Sequence, residues 1–153
     1  MLDDTDLAIL GALEEDARLT YADIAARVGL APSSVHDRVR KLERSGVICG
    51  YKAEIDLERV GLPITAFVSL ALRPESPSNL PALIAEFPLV ESCYSVAGDH
   101  SYVLTVRAPT TSALEELLDT LRAKLEVTTR SVIVLSTPFE RRPVIQTAGS
   151  TQQ

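Results

Sequence analysis

The chain has 153 residues, of which 46% are hydrophobic and 24% charged, so it can bury a core as one medium domain or two small ones. No secretory signal pattern or long apolar run is present, and Cys49 and Cys93 lie far apart without a CxxC pair, which predicts a cytoplasmic protein with no membrane span, disulfide framework or metal site. The net charge of −6 disfavours nucleic-acid binding unless the basic residues are concentrated in one segment.

The first two predicted elements are helices. Asp3 caps the first, whose apolar residues recur at a spacing of three to four: Leu7, Leu10, Leu13 and Ala17. Acidic side chains crowd this stretch, so we expect it to face solvent or a partner rather than phosphates. A capping box of Thr20 and Asp23 begins a second helix of about two turns, which ends at Gly29.

A third helix begins at Pro32 and ends at Gly46, with Val35, Val39 and Leu42 facing inward. Between Arg27 and Lys52 the chain carries six basic side chains and two acidic ones, which makes this segment locally basic. Two short helices joined tightly, the second with its charges outward, indicate a helix-turn-helix whose last helix enters the major groove. The alternative is a structural three-helix bundle with a solvated charged face.

The candidate DNA-binding residues lie on or beside the outer face of this third helix. Residues near its beginning are placed to contact base edges, whereas later basic side chains are better placed for phosphates. Arg38 has an angular position that leaves its side undecided. The candidates are Tyr21, Ser33, Ser34, His36, Asp37, Arg38, Arg40, Lys41 and Arg44.

The remaining elements follow in the order strand, helix, strand, strand, helix, strand. Residues 47–56 favour an extended wing or linker strand, and residues 57–63 a turn that begins the second domain. A strand from Ile64 is followed by a helix capped by Ser78 and stopped by Pro88. The last helix of the chain begins at a capping box of Ser112 and Glu115. The strands are predicted over 64–73, 90–97, 101–108 and 127–137, the middle two forming a hairpin.

This order is the split βαβ arrangement of ferredoxin-like folds, in which both helices cover one sheet face. The other face needs cover, and the alternation predicts that Phe67, Ala71, Val103 and Ile133 make it apolar. We therefore expect a homodimer formed by packing of sheet on sheet, with further assembly to a tetramer or octamer left open.

The first sixty residues resemble the leucine-responsive regulatory protein (Lrp/AsnC) family of transcription regulators. The resemblance lies in Leu2-Asp-Asp-Thr-Asp6, in Thr20-Tyr-Ala-Asp-Ile-Ala25 and in the run from Ser34 to Ile48, and the second half resembles the family as well. It implies an α+β chain with an N-terminal winged helix-turn-helix and a C-terminal ferredoxin-like βαββαβ (RAM or ACT-like) domain. Ala31 stands where the family usually has a serine.

The residue patterns and the resemblance together predict a domain plan, and the resemblance implies an effector site. The plan is a DNA-binding domain at 1–48, a linker or wing strand at 49–62, an effector-binding and oligomerisation domain at 63–140 and a frayed or partner-dependent tail at 141–153. The family's ligand loop matches Gly98, Asp99, His100 and Ser101, although the last two depart from its usual Tyr-Asp. Thr129 and Ser131 match the family region that lines the same pocket. Without the family, residues 98–100 would indicate a plain hairpin turn.

The predicted function is transcription regulation by sequence-specific DNA binding that responds to an effector. The expected partners are double-stranded DNA, a second copy of the chain and a small molecule, which is expected to be an amino acid. Two alternatives differ in class. An architectural DNA-binding protein would use the same basic helix without an effector. A ferredoxin-like enzyme is disfavoured because the sequence has no nucleophile elbow, phosphate loop or metal-ligand cluster. No cofactor is expected.

Overall fold

The computed structural model describes residues 1–145. The chain divides into two compact units, one made of residues 1–54 together with the segment from residue 139 onward, and the other of residues 55–138. They are called unit 1 and unit 2 below. None of the helices within residues 1–145 has the length and apolar character that a bilayer crossing needs.

Unit 1 contains three helices, α1 (Asp4–Glu15), α2 (Tyr21–Val28) and α3 (Pro32–Arg44). The cap predicted at Asp3 and the capping box predicted at Thr20 and Asp23 are present, since Asp3 accepts a hydrogen bond from the Asp6 N–H and Thr20 accepts one from the Asp23 N–H. The helices share one buried cluster: Ile9, Leu10, Ala12, Ile24, Ala25, Val35, Val39 and Leu42. The predicted inner stripe of α3 is therefore confirmed.

The inner face of α1 differs from the predicted stripe. Asp6, Ile9 and Ala12 are buried beside Leu10, and α1 ends at Glu15, so Ala17 lies beyond the helix and is exposed. Of the predicted stripe, Leu10 is buried and Leu13 packs against the same cluster, whereas Asp6, Ile9 and Ala12 were not predicted to face inward. Asp6 is buried at 4% exposure because a basic partner on α3 neutralises it.

Residues 49–56 belong to no strand of the described sheet, so the predicted wing or linker strand does not form as a paired strand. The chain before it is held by the end of α3, because the N–H groups of Val47 and Ile48 both donate to the Leu42 carbonyl. The predicted turn follows and is closed by a hydrogen bond from the Leu62 N–H to the Leu57 carbonyl.

Unit 2 has the predicted βαββαβ order. Its elements are β1 (Ile64–Leu72), α4 (Leu80–Ile84), β2 (Val90–Ser95), β3 (Tyr102–Ala108), α5 (Thr111–Leu125) and β4 (Val127–Ile133). The strands form one antiparallel sheet in the order β2-β3-β1-β4. Its core joins Val68, Leu70 and Leu104 of the sheet to Leu117 and Leu121 of α5.

Both helix starts in unit 2 were predicted at the wrong residue. The N-cap of α5 is Thr110, whose hydroxyl accepts a hydrogen bond from the Ala113 N–H. The helix therefore begins at Thr111, two residues earlier than a cap at Ser112 would place its start. Asn79, rather than Ser78, precedes α4 and makes no capping bond. Several serines and threonines cluster at each helix start, and only the backbone conformation decides which of them is the cap.

The sheet has one face toward the helices and one open face. Ala66 is buried on the helix side, and it pairs with Ile133, so Ile133 lies on the helix side as well, contrary to the prediction. The neighbouring pair Phe67 and Val132 lies on the open face, with exposures of 44% and 56%. The open apolar face is therefore present, with Val132 in the place predicted for Ile133.

Candidate nucleic-acid interface and ligand loop

The outer face of α3 carries most of the candidate DNA-binding side chains. With Val35, Val39 and Leu42 buried, the rotation of 100° per residue turns the opposite side of the helix to solvent. His36 and Arg38 flank the buried stripe and are partly buried. The exposed outer set is Ser33, Ser34, Asp37, Arg40, Lys41 and Arg44. Ala31 precedes the helix without a side-chain cap, as its methyl group requires.

Arg38 faces α1 and binds two of its carboxylates. Its Nη1 lies 2.7 Å from Asp3 Oδ2 and 2.7 Å from Asp6 Oδ1. The hydrogen bond from Arg38 holds the pKa of Asp3 below its usual value, and the two aspartates raise the pKa of Arg38. Asp3 and Asp6 thus hold α1 and α3 together, and Asp6 is buried, whereas Asp4, Glu14, Glu15 and Asp16 are exposed as expected.

The other basic side chains separate into paired and unpaired groups. Arg27 forms an ion pair with Glu15 at 3.1 Å. Arg40, Lys41 and Arg44 are exposed and form no ion pair within residues 1–145. Lys52, beyond α3, is likewise exposed without an ion pair in this range, so three of the four unpaired basic side chains between residues 27 and 52 lie on one side of α3.

Two tyrosines contact the flank of α3 on the side away from Arg38. The Tyr21 and His36 rings meet edge to face, with centroids 5.1 Å apart and an interplanar angle of 74°. The Tyr51 hydroxyl donates to Glu43 Oε1 at 3.0 Å, and burial, together with this carboxylate, raises the pKa of Tyr51. The tyrosine at position 51 was not among the predicted site residues, because its partner lies in a different predicted element.

The β2–β3 loop holds four of the six candidate effector residues. The loop is closed by the Val96 N–H donating to the Ser101 carbonyl at 3.0 Å, and the Ser101 N–H donates to the Leu70 carbonyl at 2.9 Å. Gly98 has φ +139°, a conformation that side-chain-bearing residues rarely adopt. Asp99 is exposed, and its carboxylate forms no hydrogen bond or ion pair within residues 1–145, while His100 is partly buried.

The last two candidates lie on β4, on the other side of β1. Thr129 pairs with Leu70 and Ser131 with Val68, both on the helix side of the sheet. Thr129 Oγ1 accepts a hydrogen bond from Arg122 Nε at 2.9 Å. Two strand spacings, about 10 Å, separate β4 from β3, which begins directly after Ser101. Within one chain, the loop residues lie together and the two hydroxyl residues lie apart from them.

Neither cysteine belongs to α3 or to the β2–β3 loop. Cys49 and Cys93 are free and both are exposed. Burial of its sulfur nonetheless raises the pKa of Cys93. Residues 1–145 contain no cluster of three side chains that could hold a metal ion.

Comparison with family models matches two regions of the chain. Residues 2–48 match a model described as winged helix-turn-helix DNA-binding, and residues 65–144 match the Lrp/AsnC ligand binding domain.

Individual proteins are similar over nearly the whole chain. The HTH-type transcriptional regulator LrpA of Mycobacterium tuberculosis is 46% identical over 142 residues, which is 92% of this chain and 95% of LrpA. The feast or famine regulatory protein of M. tuberculosis, solved in complex with L-methionine, superposes with a TM-score of 0.90 at 45% identity, covering 95% of this chain and 100% of that chain. A transcriptional regulator of Neisseria meningitidis, solved in complex with L-Met, superposes with a TM-score of 0.85 at 29% identity, covering 94% and 96%.

Proposed function

The chain belongs to the Lrp/AsnC family of transcriptional regulators, and on this premise we propose that α3 binds the major groove of DNA while unit 2 binds an amino acid that alters this binding. The family membership makes the chain a DNA-binding transcription regulator with a ligand-binding domain, and not an enzyme. The residues, the ligand and the assembly belong to the proposal.

One observation carries the DNA-binding part of the proposal: Arg40, Lys41 and Arg44 are exposed on one side of α3 and have no ion-pair partner within residues 1–145. A basic side chain that binds a carboxylate of its own chain must give up that partner before it can bind a phosphate. Arg27 and Arg38 are in that position. We therefore assign phosphate contacts to the three unpaired side chains and a structural role to Arg38.

Base contacts are assigned to the beginning of α3, where Ser33 and Ser34 are exposed and His36 is 42% exposed at its side chain. Hydroxyl and imidazole groups can both donate to and accept from base edges in the major groove. The edge-to-face contact with Tyr21 restricts the His36 ring. Tyr21 and Asp37 are therefore assigned to positioning His36, which lies 3.4 Å from Asp37 by its Nδ1.

The effector part of the proposal rests on the exposed, unpaired Asp99 and on the relatives solved with L-methionine. A free amino acid carries an ammonium group, which a carboxylate binds, and a carboxylate, which loop N–H groups bind. Gly98, His100 and Ser101 supply such groups beside Asp99. Thr129 and Ser131 lie on β4 across β1, so we propose that they join the site at a subunit boundary.

The open face of the sheet is proposed as the dimer interface. Phe67 and Val132 are paired there and about half exposed, and Val103 lies on the same face one strand away. A second copy would cover this face by the same contacts in reverse, as two-fold symmetry requires. Such a dimer presents two α3 helices, so the preferred site is roughly palindromic with half-sites about one DNA turn apart. Assembly to a tetramer or octamer stays a prediction.

The proposed domain plan keeps residues 1–48 for DNA, 49–62 as linker and 63–140 for effector and assembly. Of the predicted tail at 141–153, residues 146–153 lie outside the described residues.

The proposal is tested by the fluorescence anisotropy of a labelled DNA duplex, with and without L-methionine. We expect the ligand to shift the DNA affinity of the unsubstituted chain, and Asp99→Ala to remove the shift while leaving ligand-free DNA affinity unchanged. Glu115→Ala, an equal change at an exposed position of α5, should behave like the unsubstituted chain. A full response in Asp99→Ala would reject the effector assignment, and no DNA binding at any salt concentration would reject the DNA assignment.

A further inference from the structure

The segment that follows unit 2 returns to α1. Both carboxylate oxygens of Glu14 accept a hydrogen bond from the Val144 N–H at 3.2 Å, and Glu14 Oε2 also accepts one from the Ile145 N–H at 3.1 Å. A single carboxylate near the end of α1 thus binds two consecutive backbone amides. Hydrogen bonds to an ionised acceptor are stronger than those between neutral groups.

The side chains of Val144 and Ile145 point to different surroundings. Ile145 packs against the buried cluster of unit 1, whereas Val144 is 80% exposed. Ile145 also lines a cleft of about 870 Å³ between the end of α1 and residues 47–54, together with Leu10, Leu13 and Ile48. Ile145 is therefore docked on unit 1, and Val144 beside it faces solvent.

The docked segment follows the last strand of unit 2 after only a few residues. β4 of unit 2 ends at Ile133, and the Val134 N–H still donates to the Thr65 carbonyl of β1. Residues 135–138 then connect the sheet to a segment that belongs to unit 1. The chain therefore passes between the two units twice. Residues 49–62 lead from unit 1 into unit 2, and residues 134–139 lead from unit 2 back into unit 1.

We propose that residues 139–145 form a strap that docks on α1 through Glu14 and Ile145 and couples the ligand-binding unit to the DNA-binding unit. α1 is the helix whose Asp3 and Asp6 hold Arg38 of α3. Docking or undocking of the strap therefore changes the surroundings of α1, and α1 holds α3 in place through Arg38. The docking stands on the contacts alone, whereas the coupling rests on the function proposed above.

Docking is tested by amide hydrogen exchange of Val144 and Ile145 in the full chain. Both amides should exchange at least about tenfold more slowly than free-chain rates, since a hydrogen bond to a charged group contributes about 1.5 kcal/mol or more and each 1.4 kcal/mol is tenfold. Glu14→Ala should remove most of this protection, Glu14→Gln should keep part of it because the amide oxygen still accepts, and Glu115→Ala should keep all of it. Free-chain exchange in the unsubstituted protein, or protection unaffected by Glu14→Ala, would overturn the docking.

Coupling is tested by comparing the DNA affinity of Ile145→Asp with and without L-methionine. The variant puts a charge against the apolar cluster, so the strap should leave α1 while the residues assigned to ligand and DNA stay in place. We expect the ligand-induced shift in DNA affinity to fall at least about threefold, although L-methionine and DNA each still bind, and Val144→Asp on the exposed side should keep the full shift. An unchanged shift in Ile145→Asp would overturn the coupling. An unsubstituted chain that does not bind L-methionine would instead refute the proposed effector, and the exchange experiment would still decide the docking.

Discussion

Two arginines two residues apart on α3 should respond in opposite ways to replacement by alanine. Arg40 faces outward with no partner among residues 1–145, whereas Arg38 binds Asp3 and Asp6. Arg40→Ala should therefore weaken DNA binding without loss of fold stability. Arg38→Ala should destabilise the fold, because it leaves the carboxylate of Asp6, 4% exposed, without its partner.

The magnitude follows from the number of phosphates neutralised. Each phosphate contact contributes about −0.9 to the slope of log affinity against log salt concentration. Three unpaired cations in each chain of a dimer would contribute about −5 to this slope, and Arg40→Ala would make it shallower by about 2. Arg38→Ala should leave the slope unchanged, because this side chain contacts carboxylates of its own chain.

The assay is fluorescence anisotropy of a labelled duplex over a series of NaCl concentrations, with thermal unfolding measured in parallel. Arg73→Ala is the matched control, since Arg73 is an exposed arginine on unit 2 whose loss changes the net charge equally. Equal slope changes for Arg38→Ala and Arg40→Ala would refute the division between inward and outward arginines. An unchanged slope for Arg40→Ala would remove the outer face of α3 from the phosphate contacts.

Two further predictions concern assembly and acid stability. Phe67→Asp places a charge on the open sheet face, and the dimer should dissociate in analytical ultracentrifugation. Thr111→Asp, at an exposed position of α5 on the other side of the sheet, should stay associated at the same concentrations, and a dimeric Phe67→Asp would exclude this face. Hydrogen bonds from the side chain of Thr20 and, second, from its backbone N–H lower the pKa of Asp23 in the folded protein. The Asp23 carboxylate therefore stabilises the fold above the usual pKa of 3.8, and this stabilisation is lost as the pH falls through the lower folded pKa. In urea unfolding, Asp23→Asn should be less stable than the unsubstituted chain at neutral pH, and the difference should shrink below pH 3.8; a constant difference would contradict this explanation.

Local sequence signals predicted unit 1 well where the deciding contacts are local. The capping boxes at Asp3 and Thr20 join residues three apart, and the buried stripe of α3 follows from helical spacing alone. The left-handed conformation of Gly29 after α2 also depends only on the adjacent helix. These features do not require knowledge of the tertiary structure.

The errors arose where a distant partner decides the outcome. Asp6 is buried because Arg38, 32 residues later, binds it, and Ile133 lies on the helix side because its register with Ala66 fixes the direction of its side chain. A shift of one residue in pairing would have reversed that side, and the alternating pattern of an edge strand does not exclude it. The contact of Ile145 with unit 1 joins residues about as far apart as the chain allows, and no local pattern indicates it.

The candidate sites show the same division. The outer face of α3 was predicted as a set, because one helix positions all of its members. The effector residues were predicted from the family resemblance on the β2–β3 loop and on the last strand, and the ones on β4 lie across β1 from the loop. A site completed by a second copy depends on contacts that the sequence of one chain does not encode locally.

The measurement that tests the central claim most directly is a titration of ¹⁵N-labelled full-length protein with a DNA duplex, followed by amide chemical shifts. The account predicts that the largest changes fall on α3, at Ser33, Ser34, Arg40, Lys41 and Arg44, with smaller changes at Arg38. Changes confined to unit 2 or to the acidic side of α1, with the outer face of α3 unaffected, would contradict it.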